Sequence, residues 1–262
     1  MIILRIKTPL LKQGDNLADI LCATGIIQSG DIIVVSSKAL ATIEGVTIDL
    51  RSLVLSDEAK ELSKKCDQDP AFTQAIIDET KRMNGTIERV APTVLLTSLK
   101  PSGMKRGRIL CPNAGLDLSN IKGGLAIGWP RDVVKSARRL WEELKKEDER
   151  KKKMRGGKDP TIAVIISDST CKPSRLGVTA IALTCAGIDP VRNERGKKDL
   201  FGRPLAITNE AIADQLATAG NFLMGNADQC TPAVIIRDHG LPFSDFCGWV
   251  DGIEPEEDIF GI

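Results

Sequence analysis

Apolar residues fall in two patterns along this chain. In the first they form short runs: 2–6, interrupted by Arg5, then 32–35, 161–166 led by Thr161, 178–185 with Thr179 and Thr184 inside it, and 233–236. These runs are too short for helices and rich in β-branched residues. They predict strands, and the wholly apolar ones predict strands covered on both faces. Residues 86–90, 93–97 and 108–111 predict further short strands.

In the second pattern apolar positions recur three or four residues apart, the period of a helix with one buried face. Leu17, Ile20 and Leu21 mark one such helix, starting at Asn16. Ser56 predicts a cap for another, running to about Lys65 with Asp57 and Glu58 in its first turn. Asp69-Pro70 opens a third, striped by Phe72, Ala75 and Ile76. Pro130 opens the clearest, with Val133, Ala137, Leu140 and Leu144 on one face and Val134 and Trp141 beside them. Its far end, 145–155, is almost wholly charged and predicts a solvated extension stopping at Gly156-Gly157. Thr208 predicts the cap of a last helix to Met224, with Ile212, Leu216, Ala219 and Leu223 facing the core and Gly225 as the stop. The 39–44 segment fits a helix or an extended stretch equally. Strands and helices follow one another without a regular βαβ beat, which predicts an α+β fold of mixed sheets and packed helices.

A chain of 262 residues forms one large domain or two small lobes. A net charge of +1 gives no field for nucleic acid or an anionic membrane. With six Phe, three Trp and no Tyr, base-stacking platforms are not expected either. No run approaches a membrane span, and charges interrupt the apolar start, so the first segment reads as a strand rather than a signal peptide. The expected compartment is the cytoplasm. The seven cysteines include no C-x-x-C pair and read as scattered reduced thiols. The single histidine, His239, lies just past a strand in what reads as an exposed turn, so a catalytic triad and a structural zinc site both lack ligands.

Two oxygen-rich stretches follow predicted strands: 113–120, containing Asp117, and 167–170, containing Asp168. Carboxylate, amide and hydroxyl oxygens suit Mg2+ or Mn2+, ions that commonly take their remaining ligands from nucleotide phosphates. Each Asp taken alone is more often a turn former that accepts local backbone N–H groups. The basic loop 192–203 reads either as an anion clamp or as a solvated turn.

Six segments, in order, resemble the coenzyme F420-0:L-glutamate ligases, the γ-glutamyl ligases of deazaflavin biosynthesis. Thr8-Pro9-Leu10-Leu11-Lys12-Gln13-Gly14-Asp15 is similar to the family's opening L-P-L motif. Gly30-Asp31 with the apolar run to Ser36-Ser37-Lys38, and later Glu44-Gly45, resembles its G-D strand and E-G turn. Asn113-Ala114-Gly115-Leu116-Asp117-Leu118-Ser119-Asn120 resembles N-A-G-x-D-x-S-N. Ser167-Asp168-Ser169, followed by Pro173, Arg175 and Gly177, resembles S-D-T-x-G-R-P-x-R-x-G. Arg195-Gly196, Asp199, Gly202-Arg203 and Thr208 resemble R-G-x-x-D-x-x-G-R and a following cap, and Leu223-Met224-Gly225 resembles L-M-G.

The resemblance implies a single ligase domain over 1–262 with the family's own α+β fold, an intertwined homodimer, and a reaction consuming GTP. In that reaction L-glutamate is joined to coenzyme F420-0 through an acyl phosphate, and further glutamates follow through γ-linkages. It implies Mn2+ or Mg2+, with K+ as an optional further cation, held by Asp117, Asp168, Ser169 and Asn226, and no side-chain nucleophile. Guanine nucleotide would contact Thr8, Pro9, Leu10, Leu11, Ser37, Lys38, Thr42, Asn120, Met224, Gly225, Ala227, Asp228, Gln229, Cys230 and Thr231. Arg175, Arg195, Lys198 and Arg203 would face the anionic substrate. The chain departs from the pattern at Thr42, where the family has Lys, at Cys171 and Lys172, where it has Gly and Arg, and at Asn226, often Glu or Gln. The departures leave two alternatives: a related amino-acid ligase with another acceptor, and a non-catalytic relative that binds nucleotide or metal.

Overall fold

The computed structural model describes residues 1–153 and 161–260. The strands are β1 (Ile2–Ile6), β2 (Ile32–Ser36), β3 (Thr47–Asp49), β4 (Thr86–Ala91), β5 (Val94–Leu99), β6 (Ile109–Pro112), β7 (Leu125–Ile127), β8 (Ala163–Thr170), β9 (Thr179–Ala186), β10 (Arg192–Asn193), β11 (Asn209–Glu210), β12 (Ala233–Arg237) and β13 (Cys247–Trp249). The helices are α1 (Leu17–Ala23), α2 (Ser37–Ile43), α3 (Asp57–Cys66), α4 (Pro70–Arg82), α5 (Val133–Lys153) and α6 (Ile212–Met224). The architecture is mixed α+β, as the irregular order of elements predicts.

A six-stranded sheet in the order β1-β12-β2-β8-β9-β13 forms the centre. Alternate residues of its inner strands serve two different cores. Ile33, Val35, Val164, Ile166 and Ile235 face a core shared with α1, α4 and α5. Ile32, Val34, Ala163, Ile165, Val234 and Ile236 face a second core under α6. The unbroken apolar runs arise from this double coverage. Within the sheet only β2 and β8 are paired in parallel, in the register Ser36↔Ser167. A three-stranded sheet β4-β5-β6 and the pair β3-β7 extend the fold beside α3 and α4.

Several boundaries differ from the pattern-based reading. The 39–44 segment is helical, within α2. The clearest helix starts at Val133 rather than Pro130, because Asp132 Oδ1 accepts the Lys135 N–H at 2.9 Å and so caps it. The expected stop at Gly156-Gly157 lies outside the described residues. The last helix starts at Ile212, not after Thr208, and Ala211 precedes it without a side-chain cap. Its buried face is Ile212, Ala213, Leu216, Ala217, Gly220 and Met224, while Ala219 and Leu223 are half-buried at its edge. Likewise Leu17, Ala18 and Leu21, rather than Ile20, are the buried positions of α1. His239 is half-buried, with Nε2 2.9 Å from the Gly30 carbonyl and its ring edge-on to Phe243. No described helix is long and apolar enough to cross a membrane. All seven cysteines are free thiols.

Candidate functional site

The parallel pair positions the first carboxylate. With Ser36 level with Ser167, the next residues, Ser37 and Asp168, lie side by side where β2 ends, at one end of the sheet's two middle strands. The buried Ser37 hydroxyl donates to Asp168 Oδ1 at 3.3 Å. The Trp129 indole N–H donates to Asp168 Oδ2 at 2.6 Å. Burial pushes the Asp168 carboxyl up to about 6, against the opposing pull of the Trp129 and Ser169 N–H groups and the Lys38 charge.

The second carboxylate arrives by a sharper turn. After β6, Asn113, Ala114 and Gly115 all take left-handed conformations, with φ of 51°, 53° and 73°. A left-handed non-glycine residue costs roughly 1–2 kcal/mol, so the turn needs outside support. Asn113 Oδ1 accepts the Leu95 N–H at 2.9 Å and Gln68 Nε2 at 3.2 Å, while Ala114 N–H donates to the Thr97 hydroxyl at 3.1 Å. At Gly115 a Cβ would lie 2.5 Å from the Trp129 ring. The turn brings Asp117 against Ile127, with paired backbone bonds of 2.8 and 3.0 Å.

Asp117 then meets α2. Lys38 Nζ donates to its carboxylate and to the Ser119 hydroxyl, the latter at 3.0 Å, and Ser119 N–H and Oγ donate to Asp117 at 2.7 and 2.8 Å. Burial works to raise this carboxyl, but Lys38 and the Ser119 backbone N–H outweigh it and hold it below the usual range. Neighbouring residues of α2, Ser37 and Lys38, thus engage the two carboxylates, one each.

A third segment closes over this end. Asn120 Nδ2 donates to the Ala227 carbonyl at 3.0 Å, and Thr8 N–H donates to the Cys230 carbonyl at 3.1 Å. Gln229 Oε1 accepts the Ala227 N–H at 2.8 Å, and Thr231 donates to the Gln229 carbonyl at 3.0 Å, so the 225–231 loop is braced from within. Ala227, Asp228, Gln229 and Cys230 are exposed, as are Pro9 and Leu10, while Leu11 is half-buried. Met224 packs in the core under the sheet, so it offers a ligand backbone only. The Thr42 hydroxyl donates to the Lys38 carbonyl one helical turn back, at 2.8 Å.

Among the described residues no cluster of three or more His, Cys, Asp or Glu is arranged to hold a metal. Asp117 and Asp168 with hydroxyl and amide neighbours form an all-oxygen set suited to a hard cation that completes its shell from phosphate. Ser169 is exposed beside Asp168. Asn226 is exposed at the head of the 225–231 loop and hydrogen-bonds neither carboxylate among the described residues. Cys111, next to the turn, is pushed up to about 12 by burial and stays a neutral thiol.

Among the described residues none of the expected basic residues hydrogen-bonds or ion-pairs with this cluster. Arg175 is in a fully exposed loop, 171–178. Arg195, Lys198 and Arg203 project from the hairpin built on β10 and β11 and have no ion-pair partner among the described residues. Its tip exposes Leu200 and Phe201 almost completely. Sequence reasoning missed Trp129 and the role of Ser119. The Ser was visible in the 113–120 motif; the Gly128-Trp129-Pro130 segment carried no comparable signal.

The family model for the F420-0:Gamma-glutamyl ligases matches residues 5–238. The chain is 37% identical to the Coenzyme F420:L-glutamate ligase of Methanocaldococcus jannaschii, over 98% of this chain and 96% of that protein. It is 33% identical to the protein of that name from Methanopyrus kandleri, over 87% and 82%, and 32% identical to the one from Methanococcus maripaludis, over 99% and 97%. On these matches the chain belongs to the F420-0:gamma-glutamyl ligase family.

Proposed function

We propose that this protein joins L-glutamate to coenzyme F420-0, using GTP to activate the acceptor carboxylate, and then extends the product through γ-linked glutamates. A carboxylate does not accept an amine directly at neutral pH. Transfer of the γ-phosphoryl group to the acceptor carboxylate, with release of GDP, makes an acyl phosphate. The glutamate amine attacks its carbon, and phosphate leaves. The observation that carries this reading is the meeting of Asp117 and Asp168 at neighbouring residues of α2, under a loop joined to both Asn120 and Thr8.

Asp117, Asp168, Ser169 and Asn226 would hold Mn2+ or Mg2+, which when bound neutralises charge on the transferring phosphoryl group. Lys38 adds a cation on a flexible stem at the same place. The 8–11 and 225–231 segments offer exposed backbone and side chains to the nucleotide. Arg195, Lys198 and Arg203, without an ion-pair partner among the described residues, and Arg175 suit an acceptor bearing carboxylates and a phosphodiester. GTP as co-substrate places the reaction in the cytoplasm.

The exposed Leu200, Phe201 and Ile207 of the hairpin support a homodimer in which this arm is covered by the second copy. A second reading keeps the chemistry and changes the acceptor. It is favoured by Cys171 and Lys172, which stand exposed just beyond Asp168 where the family pattern has Gly and Arg.

The test is release of phosphate from GTP with Mn2+, acceptor and glutamate present. Asp117→Asn and Asp168→Asn should each lower the rate at least about 100-fold, the scale of losing one electrostatic stabiliser of a transition state. Rates unchanged in both variants contradict the assignment.

A further inference from the structure

A cleft borders Trp129, the residue whose indole N–H bonds Asp168. Its volume is about 160 Å3, and Arg82, Ser102, Trp129, Arg131, Asp132 and Trp249 are among its walls. That is about five water volumes at ~30 Å3 each. It is well below the ~300–1,000 Å3 of pockets for drug-sized ligands, so a nucleotide or a tricyclic ring does not fit.

The charges in this cleft are arranged and held. Glu79, with 5% of its side chain exposed, takes Arg82 in a fork at 2.8 and 2.6 Å and Arg131 at 3.2 Å. Each guanidinium has five N–H donors, so both keep donors beyond those spent on Glu79. Asp132 uses Oδ1 on the Lys135 N–H and retains its second oxygen. The two indoles spend their N–H groups outside the cleft's own ligand, on Asp168 and on the Ser102 carbonyl, the latter at 3.1 Å. Trp249, half-buried, therefore offers ring surface, while Trp129, with 1% of its surface exposed, backs the wall, and the ring centroids are 6.5 Å apart.

We propose that this cleft binds a free acidic amino acid. Its two carboxylates meet Arg82 and Arg131, its ammonium meets Asp132, and its methylenes lie against the Trp249 indole. Glutamate as the physiological ligand rests on the ligase reading; the chemistry of recognition does not. Trp249 lies outside the 5–238 segment matched by the family model, so one wall comes from a part of the chain that the family pattern does not describe. Because Trp129 lines the cleft and bonds Asp168, occupancy is felt one indole away from the carboxylate pair.

The experiment is titration of the whole protein with L-glutamate alone, with no nucleotide or acceptor, read by tryptophan fluorescence and calorimetry. Two of the three tryptophans line the cleft. A saturable change is expected, with L-leucine at least about tenfold weaker because it lacks the second carboxylate. Arg131 is half-exposed and precedes α5, so Arg131→Ala should fold; it should weaken glutamate at least about tenfold, and Arg131→Lys should restore part of the loss. No saturable change up to about 10 mM, leucine binding as tightly, or Arg131→Ala binding like the parent overturns the proposal. Glutamate binding without any ligation would sink the ligase reading alone. Ligation without binding of glutamate at this cleft would sink this inference alone.

Discussion

Trp129 and Asp168 are joined by a 2.6 Å hydrogen bond between an indole N–H and a carboxylate two residues before the end of a central strand. The ring that makes this bond also fills the space that a side chain on Gly115 would need. One buried residue therefore ties the Asp168 strand to the turn that delivers Asp117. Trp129→Phe keeps most of the packing and removes the donor. It should cost about 1.5–3 kcal/mol, the usual worth of a hydrogen bond to a charged group, read as a lower urea midpoint with unchanged slope.

Gly115→Ala tests the other side of that contact. The new Cβ would sit 2.5 Å from the Trp129 ring on a backbone at φ +73°. Overpacking and left-handed strain together should cost about 2–5 kcal/mol. Gly30→Ala, at φ +94° with nothing within 4 Å, carries the backbone cost alone and should lose about 1–2 kcal/mol. Equal losses in the two variants would remove the Trp129 contact from the account.

Asp214 supplies a pH dependence away from the site. Burial raises its carboxyl above the ordinary value, although it accepts the Ala182 N–H at 2.8 Å. A raised folded-state value means that the fold binds more protons than the unfolded chain between the two values. Stability is therefore lost as pH rises through that window. Asp214→Asn keeps an oxygen for Ala182 and removes the charge. Urea denaturation should show the variant more stable than the parent at pH 7, with the advantage gone near about pH 3, below the unfolded value of ~3.9. An advantage independent of pH contradicts the burial effect.

The hairpin arm carries the proposal of a dimer. Leu200 and Phe201 are 100% and 89% exposed at its tip. Replacing both with Asp should convert a dimer to a monomer in light scattering, with little change in the helical circular dichroism. A dimer that survives the pair of changes places the interface elsewhere.

What the sequence made legible follows from how local each determinant is. The apolar runs at 32–35 and 162–166 announce covered strands because every residue in them is buried by one layer or the other. Ser56 and Asp69 announce helix starts because each bonds N–H groups two or three residues ahead. Thr208 was misleading for a long-range reason: the β10–β11 hairpin takes its carbonyl as a partner for the Glu194 N–H, and the helix begins later. The two site carboxylates could be picked out by their neighbours, but their meeting could not. It depends on the parallel register of β2 and β8 and on three left-handed residues at 113–115, neither of which has a local pattern. Trp129 was invisible as a site residue because its partner lies 39 positions away.

The most direct measurement of the central claim is mass spectrometry of coenzyme F420-0 incubated with the protein, GTP, Mn2+ and L-glutamate. The account predicts products heavier by one and then more glutamyl units, dependent on GTP and lost in Asp168→Asn. An unchanged acceptor mass, beside an active relative under the same conditions, would contradict it.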